Sequence, residues 1–232
     1  MDEYLEYVKK IEKTTGYNLS NQELLNNLSQ FSSHIIYWNG YTNLTTYVHE
    51  EDIFLFHFID SYTCLYLWQN EWEVIYDVGT GAGLPGMPLA MLFRHKKFVL
   101  IESNKRKCEL LANLISILQL DNVVVLNKRA EDVRTVDGDC VLSRAVSRLD
   151  IVLEITCRIL KKGGHNLLMR GNNYLREIKL AQERARSMNY KHVKTHKVTD
   201  IPNKLTALVK YRLIDLPPEI YPRRFAKIKR GI

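Results

Sequence analysis

Four glycines, at positions 79, 81, 83 and 86, follow the apolar run Val74-Ile75-Tyr76-Asp77-Val78 and lead into Met87-Pro88-Leu89-Ala90. Glycine tolerates positive φ and lets a backbone approach a ligand closely, so a strand, this loop and a helix in succession predict a nucleotide-binding turn. The spacing alone leaves the ligand open. Counted from Gly81 the loop fits G-x-G-x-x-G, whereas counted from Gly79 the third position is Leu84. The loop holds no lysine, which excludes a P-loop. Asp77, two residues before the first glycine, tilts the choice towards a ligand with cationic character, such as S-adenosylmethionine with its sulfonium.

Further residues fit a nucleoside. Glu102 ends the run Phe98-Val99-Leu100-Ile101, 19 residues beyond Gly83, where a carboxylate can accept hydrogen bonds from both ribose hydroxyls. Ala130-Glu131 follows a third β-rich run and either flanks the adenine or forms a surface turn. Arg144, just past a fourth, has the fork geometry to grip guanine or phosphate, or to pair structurally with Asp77 or Glu131. His57 and Asp60, three apart on one helical face, line the pocket or pack the lobe that carries them. Tyr37 and Tyr41 are candidates for base stacking, and Trp38 for the core. Cys64, Cys108, Cys140 and Cys157 form no CxxC pair, and His192 and His196 sit in an extended segment, so buried thiols and no metal site are expected.

The elements that must position these groups are legible from periodicity. Glu73–Val78, Lys97–Ile101, Asn122–Leu126, Cys140–Ser143 and His165–Met169 read as strands, with helices at about 86–93, 104–118, 148–160 and 173–188. Such alternation predicts a doubly wound α/β fold with a mainly parallel sheet. Tyr190–Val198 and Thr206–Leu213 follow without an intervening helix and predict an antiparallel strand at the sheet edge, for seven strands in all. Before the sheet, Ser20-Asn21-Gln22-Glu23 has capping-box form and should start a helix towards Trp38, and another spans Glu51 to about Gln69. The expected organisation is an N-terminal helical lobe over residues 1–70, a catalytic domain over 71–220 and a basic tail over 221–232, forming one structural unit.

Charge is unevenly spread. Residues 1–93 carry three basic and 12 acidic residues, and the remainder carries 30 basic and 14 acidic, for a total of +7. A basic face attracts polyanions by counterion release, or is simply solvated. The tail alone holds Arg223, Arg224, Lys227, Lys229 and Arg230 and no acid, and reads as an RNA clamp or as a frayed end. The acidic, polar start and the lack of a long apolar run predict a cytoplasmic protein with no membrane partner.

These residues resemble the bacterial small-subunit rRNA guanine-N7 methyltransferases, the glucose-inhibited division protein B family, over nearly the whole chain. The resemblance rests on Trp38-Asn39 with Asn43-Leu44-Thr45, His57-Phe58-Ile59-Asp60-Ser61, the Asp77–Gly86 segment, Glu102-Ser103, Ala130-Glu131, Ser143-Arg144-Ala145 and Tyr221-Pro222-Arg223-Arg224. It implies a class I, Rossmann-like methyltransferase that uses S-adenosyl-L-methionine on a guanine N7 in the 530 loop of 16S rRNA. The acceptor is 16S rRNA, the 30S subunit or an assembly intermediate; a monomer is expected and DNA is not. The resemblance places Gly79, Leu84, Ala130, Glu131 and Arg144 at the cofactor, and the reading of the loop and strand ends adds Asp77, Gly81, Gly83 and Glu102. Arg144 and Arg223 are the expected catalytic pair, and Asn43, His57, Arg170, Arg223 and Arg224 the RNA-facing set. Two departures stand out: Arg170-Gly171 replaces the family's Lys-Gly, and Phe225-Ala226-Lys227 continues the tail. The alternatives are a methyltransferase of another RNA or a small molecule, a non-catalytic ribosome-assembly factor, and a nicotinamide oxidoreductase, for which the chain lacks a substrate domain. An amino-methylating enzyme is disfavoured, because Ser143-Arg144-Ala145-Val146 stands where an Asn/Asp-Pro-Pro-aromatic motif would be.

Overall fold

Strands buried on both faces require helices on both sides, and the apolar runs of this chain meet that condition. In the computed structural model, which describes residues 2–199 and 201–230, the runs form β1 (Val74–Val78), β2 (Lys97–Glu102), β3 (Val123–Asn127), β4 (Gly138–Arg144), β5 (Leu160–Arg170), β6 (Tyr190–Val198) and β7 (Thr206–Leu213). They build one seven-stranded sheet in the order β3-β2-β1-β4-β5-β7-β6. The first five strands pair in parallel, while β7 runs antiparallel to both β5 and β6. The sheet is thus the doubly wound, mainly parallel one read from the alternation, but the antiparallel strand expected at its edge is β7, one in from the edge, which β6 forms as its hairpin partner.

The helices are α1 (Asp2–Thr15), α2 (Gln22–Asn39), α3 (Glu50–Ile53), α4 (Asp60–Tyr62), α5 (Gly86–Leu92), α6 (Lys105–Ile117), α7 (Leu149–Thr156), α8 (Tyr174–Ser187) and α9 (Phe225–Arg230). Successive β2 residues point to opposite faces: Phe98 and Leu100 join the core under α1, α2, α5 and α6, and Val99 and Ile101 join the one under α7 and α8. The lobe before the sheet shares the first of these cores, since Val8, Ile11, Phe31 and Phe58 pack in one cluster with Met87, Leu100 and Leu167.

Several boundaries differ from the periodicity. The cap of α2 is Asn21, whose side chain accepts from the amides of Glu23 and Leu24; Ser20 instead donates its hydroxyl to Glu12, so the Ser20 box does not form. The expected helix over 51–69 is broken: α3 passes into a π-helical segment, Phe54–Ile59, then α4, then a 3-10 turn, Thr63–Leu67. The expected helix 148–160 stops at Thr156 because Leu160 already pairs with Gly138 in the sheet. All four cysteines are buried free thiols. No helix among the described residues is long and apolar enough to cross a membrane.

Candidate active site at the carboxyl edge of the sheet

The strand register brings the predicted residues to one edge. Val78 pairs with Ile101, Glu102 with Asn127, Asp77 with Leu142, and Arg144 with Met169. Gly79, Glu102, Ala130 and Arg144 therefore stand at or just beyond the carboxyl ends of adjacent strands. The chain leaves β1 towards β2 on one side and returns as β4 on the other, which is the crevice where doubly wound sheets bind ligands.

The loop after β1 turns on Gly79, Gly81 and Gly83, with φ of +67°, +60° and +93°. The Gly79 amide donates to the Ile101 carbonyl at 2.9 Å, fixing the loop against β2. A Cβ at Gly81 would meet nothing nearer than the Gly79 carbonyl oxygen at 3.9 Å, so the backbone there borders open space. At Gly86 a Cβ would fall 2.8 Å from Asp77 Oδ2 and 2.7 Å from Leu100, so this glycine serves close packing of α5 on the sheet. Leu84 is buried and its amide closes the turn on the Thr80 carbonyl at 3.0 Å.

Asp77 holds this loop from below. Its Oδ2 accepts from the Thr80 hydroxyl at 2.6 Å and the Gly86 amide at 2.8 Å. The side chain is wholly buried, and that desolvation raises its pKa to about 6 against the two hydrogen bonds. Asp77 Oδ1 and, on the neighbouring strand, Ser143 Oγ are buried without a protein partner. Glu102 accepts from the Gly81 amide at 3.2 Å and the Asn104 amide at 2.8 Å, so the loop itself orients this carboxylate. Ala130 is buried in a 3-10 turn, Ala130–Asp132, and Glu131 beside it is half-buried. The donor set fits a nucleoside with a cationic group: an open glycine cradle, a buried carboxylate oxygen without a partner, and a second carboxylate held at the rim.

The opposite wall is a charge cluster that joins the lobe to the sheet. Arg144 donates to Asp60 Oδ2 at 3.3 Å and to the Phe56 carbonyl at 3.4 Å, and lies 3.3 Å from His57 Nδ1. His57 Nδ1 also lies 3.2 Å from the Phe56 carbonyl, and Nε2 is 2.7 Å from Thr45 Oγ1, so both ring nitrogens are held. Burial, followed by Arg144 and Lys204, lowers the His57 pKa to about 3, so the ring is neutral. Asp60, 1% exposed, is the hub: Lys204 Nζ reaches Oδ2 at 2.7 Å and the Thr206 hydroxyl reaches Oδ1 at 2.7 Å. The π-helical segment carries His57 and leads into Asp60, a placement typical of π turns at functional sites. Arg144 thus pairs with Asp60, not with Asp77 or Glu131. Lys204 and Thr206 were not singled out from the sequence, where a lone lysine before a strand and a threonine at its start give no local signal.

The RNA-facing residues divide. Asn43 and Arg224 are exposed. Arg170 turns inward, 7% exposed and paired with Glu177, and its Nε and Nη1 are buried without partners. Arg223 makes a fork to the fully buried Glu154 of α7, with Nε to Oε1 at 2.8 Å and Nη2 to Oε2 at 2.6 Å. The start of the tail is therefore fastened to α7, and Ile228 of α9 is fully buried. The side chains of Lys229 and Arg230, and residues 231–232, lie outside the described residues. Tyr37, Trp38 and Tyr41 form one ring cluster, with centroids 5.2–5.6 Å apart, in which Tyr37 and Tyr41 are largely exposed. Asn39, next to it, binds Leu44 and Thr45, linking the cluster to His57.

Comparison with known proteins bears on the family and the fold. Residues 24–206 match the family model described as GidB, rRNA small subunit methyltransferase G. A protein named "Ribosomal RNA small subunit methyltransferase G" from Mycoplasma capricolum is 34% identical over 90% of this chain and 91% of its own length. Its namesake from Dictyoglomus thermophilum is 35% identical over 92% and 91%. Among solved structures, M. jannaschii TYW2 in complex with AdoMet superposes with a TM-score of 0.52 at 23% identity, covering 63% of this chain and 71% of that one, a likeness of fold.

Proposed function

The chain belongs to the rRNA small subunit methyltransferase G family, and we propose that it methylates N7 of a guanine in the 530 loop of 16S rRNA, with S-adenosylmethionine as donor. The observation that carries the reading is the Arg144–His57–Asp60 cluster at the end of β4, the strand beside β1 and its glycine loop. Bound S-adenosylmethionine supplies an electrophilic methyl group on a cationic sulfur. Asp77 and the glycine loop hold its amino-acid end, Glu102 the ribose, and Ala130-Glu131 the adenine. Guanine N7 carries a lone pair and no proton, so no general base is required. A neutral, buried His57 fits that demand, because it serves to orient Arg144 and not to take a proton. Arg144, fixed on three sides, is placed to hold the guanine or its phosphate, and such positioning supplies on the order of 7–11 kcal/mol of barrier reduction.

Asn43 and Arg224 are the exposed members of the RNA-facing set, whereas Arg170 and Arg223 act by fastening α8 and the tail. The protein works as a cytoplasmic monomer on 16S rRNA, the 30S subunit or an assembly intermediate, without membrane or DNA partners. The test is methyl transfer from labelled S-adenosylmethionine to 30S subunits from a strain lacking the modification, with nucleoside analysis. Labelled 7-methylguanosine in 16S rRNA is expected; a different nucleoside, or none, overturns the assignment. Arg144→Lys with full activity would remove Arg144 from its role.

A further inference from the structure

Away from the active site, the basic excess of the second half gathers on α8 and the edge strand β6. Residues 174–198 hold seven basic and two acidic side chains. Arg184 is taken up by Asp150 and Glu154, and Glu177 by Arg170. Among the described residues, Arg176, Lys179, Arg186, Lys191, Lys194 and Lys197 form no ion pair.

Three of these cations surround one groove. It has a volume of about 430 Å³, a floor of Ile178, Tyr190 and Tyr211, and a rim of Lys179, Arg186 and Lys191. Its course follows from the register. α8 starts just after Arg170, at the carboxyl edge that carries the active site. β6 has Val198 at that same edge, opposite Thr206, and Tyr190 at the other, opposite Leu213. The groove therefore starts at Leu175, in the first turn of α8 near the catalytic edge, and ends between Arg186 and Lys191 towards the opposite edge, roughly 16 Å away along the helix at about 1.5 Å per residue. Lysines on an edge strand also discourage strand pairing, but that explains Lys191 alone. Lys179 and Arg186 are on a helix, two turns apart on the groove face, where no edge needs protection.

We propose that the α8–β6 groove is a second RNA-backbone contact, in which Lys179, Arg186 and Lys191 grip phosphates of the substrate RNA outside the target loop. The proposal rests on the reading of the substrate as RNA. Unneutralised cations along a groove that leads away from the first turn of α8, next to the catalytic edge, match a polyphosphate chain that extends beyond the active site, and the apolar floor accommodates sugars. The groove adds affinity and register, not chemistry.

The test is the triple variant K179Q/R186Q/K191Q, at three exposed positions with no ion pair to lose. Its binding to unmodified 16S rRNA and 30S subunits is measured by filter retention from 50 to 200 mM salt, beside wild type. Each lost phosphate contact lowers the log–log salt slope by about 0.7–0.9, so a fall of about 2–3 is expected. The RNA KM should rise about tenfold or more, with kcat and the Kd for S-adenosylmethionine unchanged. K179R/K191R should keep the wild-type slope, because charge and not shape is used. A triple variant with the wild-type slope and KM overturns the groove while leaving the methyl-transfer reading intact. Wild type that binds RNA with the expected slope difference but transfers no methyl group overturns that reading and keeps the groove.

Discussion

Asp77→Asn should gain stability relative to wild type as the pH rises towards neutral, while weakening the cofactor site. The Asp77 carboxyl is wholly buried, and its pKa is raised from 3.8 to about 6. The folded state therefore holds the proton more tightly than the unfolded chain. This group's penalty is absent below about pH 3.8 and grows until it is complete above pH 6. A rise of that size withholds about 3 kcal/mol at pH 7.5, at about 1.4 kcal/mol per pH unit. Asparagine is isosteric and always neutral, and can still accept from Thr80 and Gly86 through one oxygen. Its amide nitrogen takes the place of Oδ1, which has no partner, at a cost of about 1–3 kcal/mol. That cost is the same at every pH. The difference between variant and wild type should consequently swing by about 3 kcal/mol in the variant's favour between pH 4 and 7.5. For a chain of this size the swing is about 6–12 °C in the difference between the two Tm values. His57, neutral when folded, titrates in both proteins and cancels. The assay is thermal unfolding of both proteins across that range, with calorimetric titration of S-adenosylmethionine at pH 7.5. Parallel Tm curves would refute the buried-carboxylate argument; an unchanged cofactor affinity would refute its role at the ligand.

Four further variants have outcomes that follow from the geometry. Asp60→Ala strands Arg144 and Lys204 without their shared carboxylate and should cost about 3–5 kcal/mol, read by chemical denaturation, together with loss of methyl transfer. Gly86→Ala drives a methyl into Leu100 and Asp77 and should cost about 1–3 kcal/mol. Gly81→Ala meets open space and should lose only about 1–2 kcal/mol from its positive φ, yet bind S-adenosylmethionine poorly; an unchanged affinity in the Gly81 variant would contradict the cradle. Arg223→Ala removes a fork from the fully buried Glu154 and leaves it the residue 223 amide and Arg184 at 3.7 Å, so unfolding should be easier by about 1–3 kcal/mol, and a variant that alters only the RNA KM would show Arg223 to be a substrate contact.

The cofactor half of the site was legible because it is local. Strand, glycine loop and the next strand's terminal acid are contiguous in the chain, and positive φ with close packing restricts positions 79, 81, 83 and 86 to one residue type. The alternation of β-rich and helical runs likewise determined the sheet, since strands buried on both faces admit few other arrangements. Tertiary structure alone decided what each charged side chain does. Asp60 with Thr206, Arg144 with Asp60, and Arg223 with Glu154 pair across 146, 84 and 69 residues. Nothing local to Arg170 or Arg223 separates a cation awaiting phosphate from one locked on a buried carboxylate. An arginine has the same composition and the same spacing in either case; its role is determined by which carboxylate the packing brings within 3 Å and by how much water that packing removes.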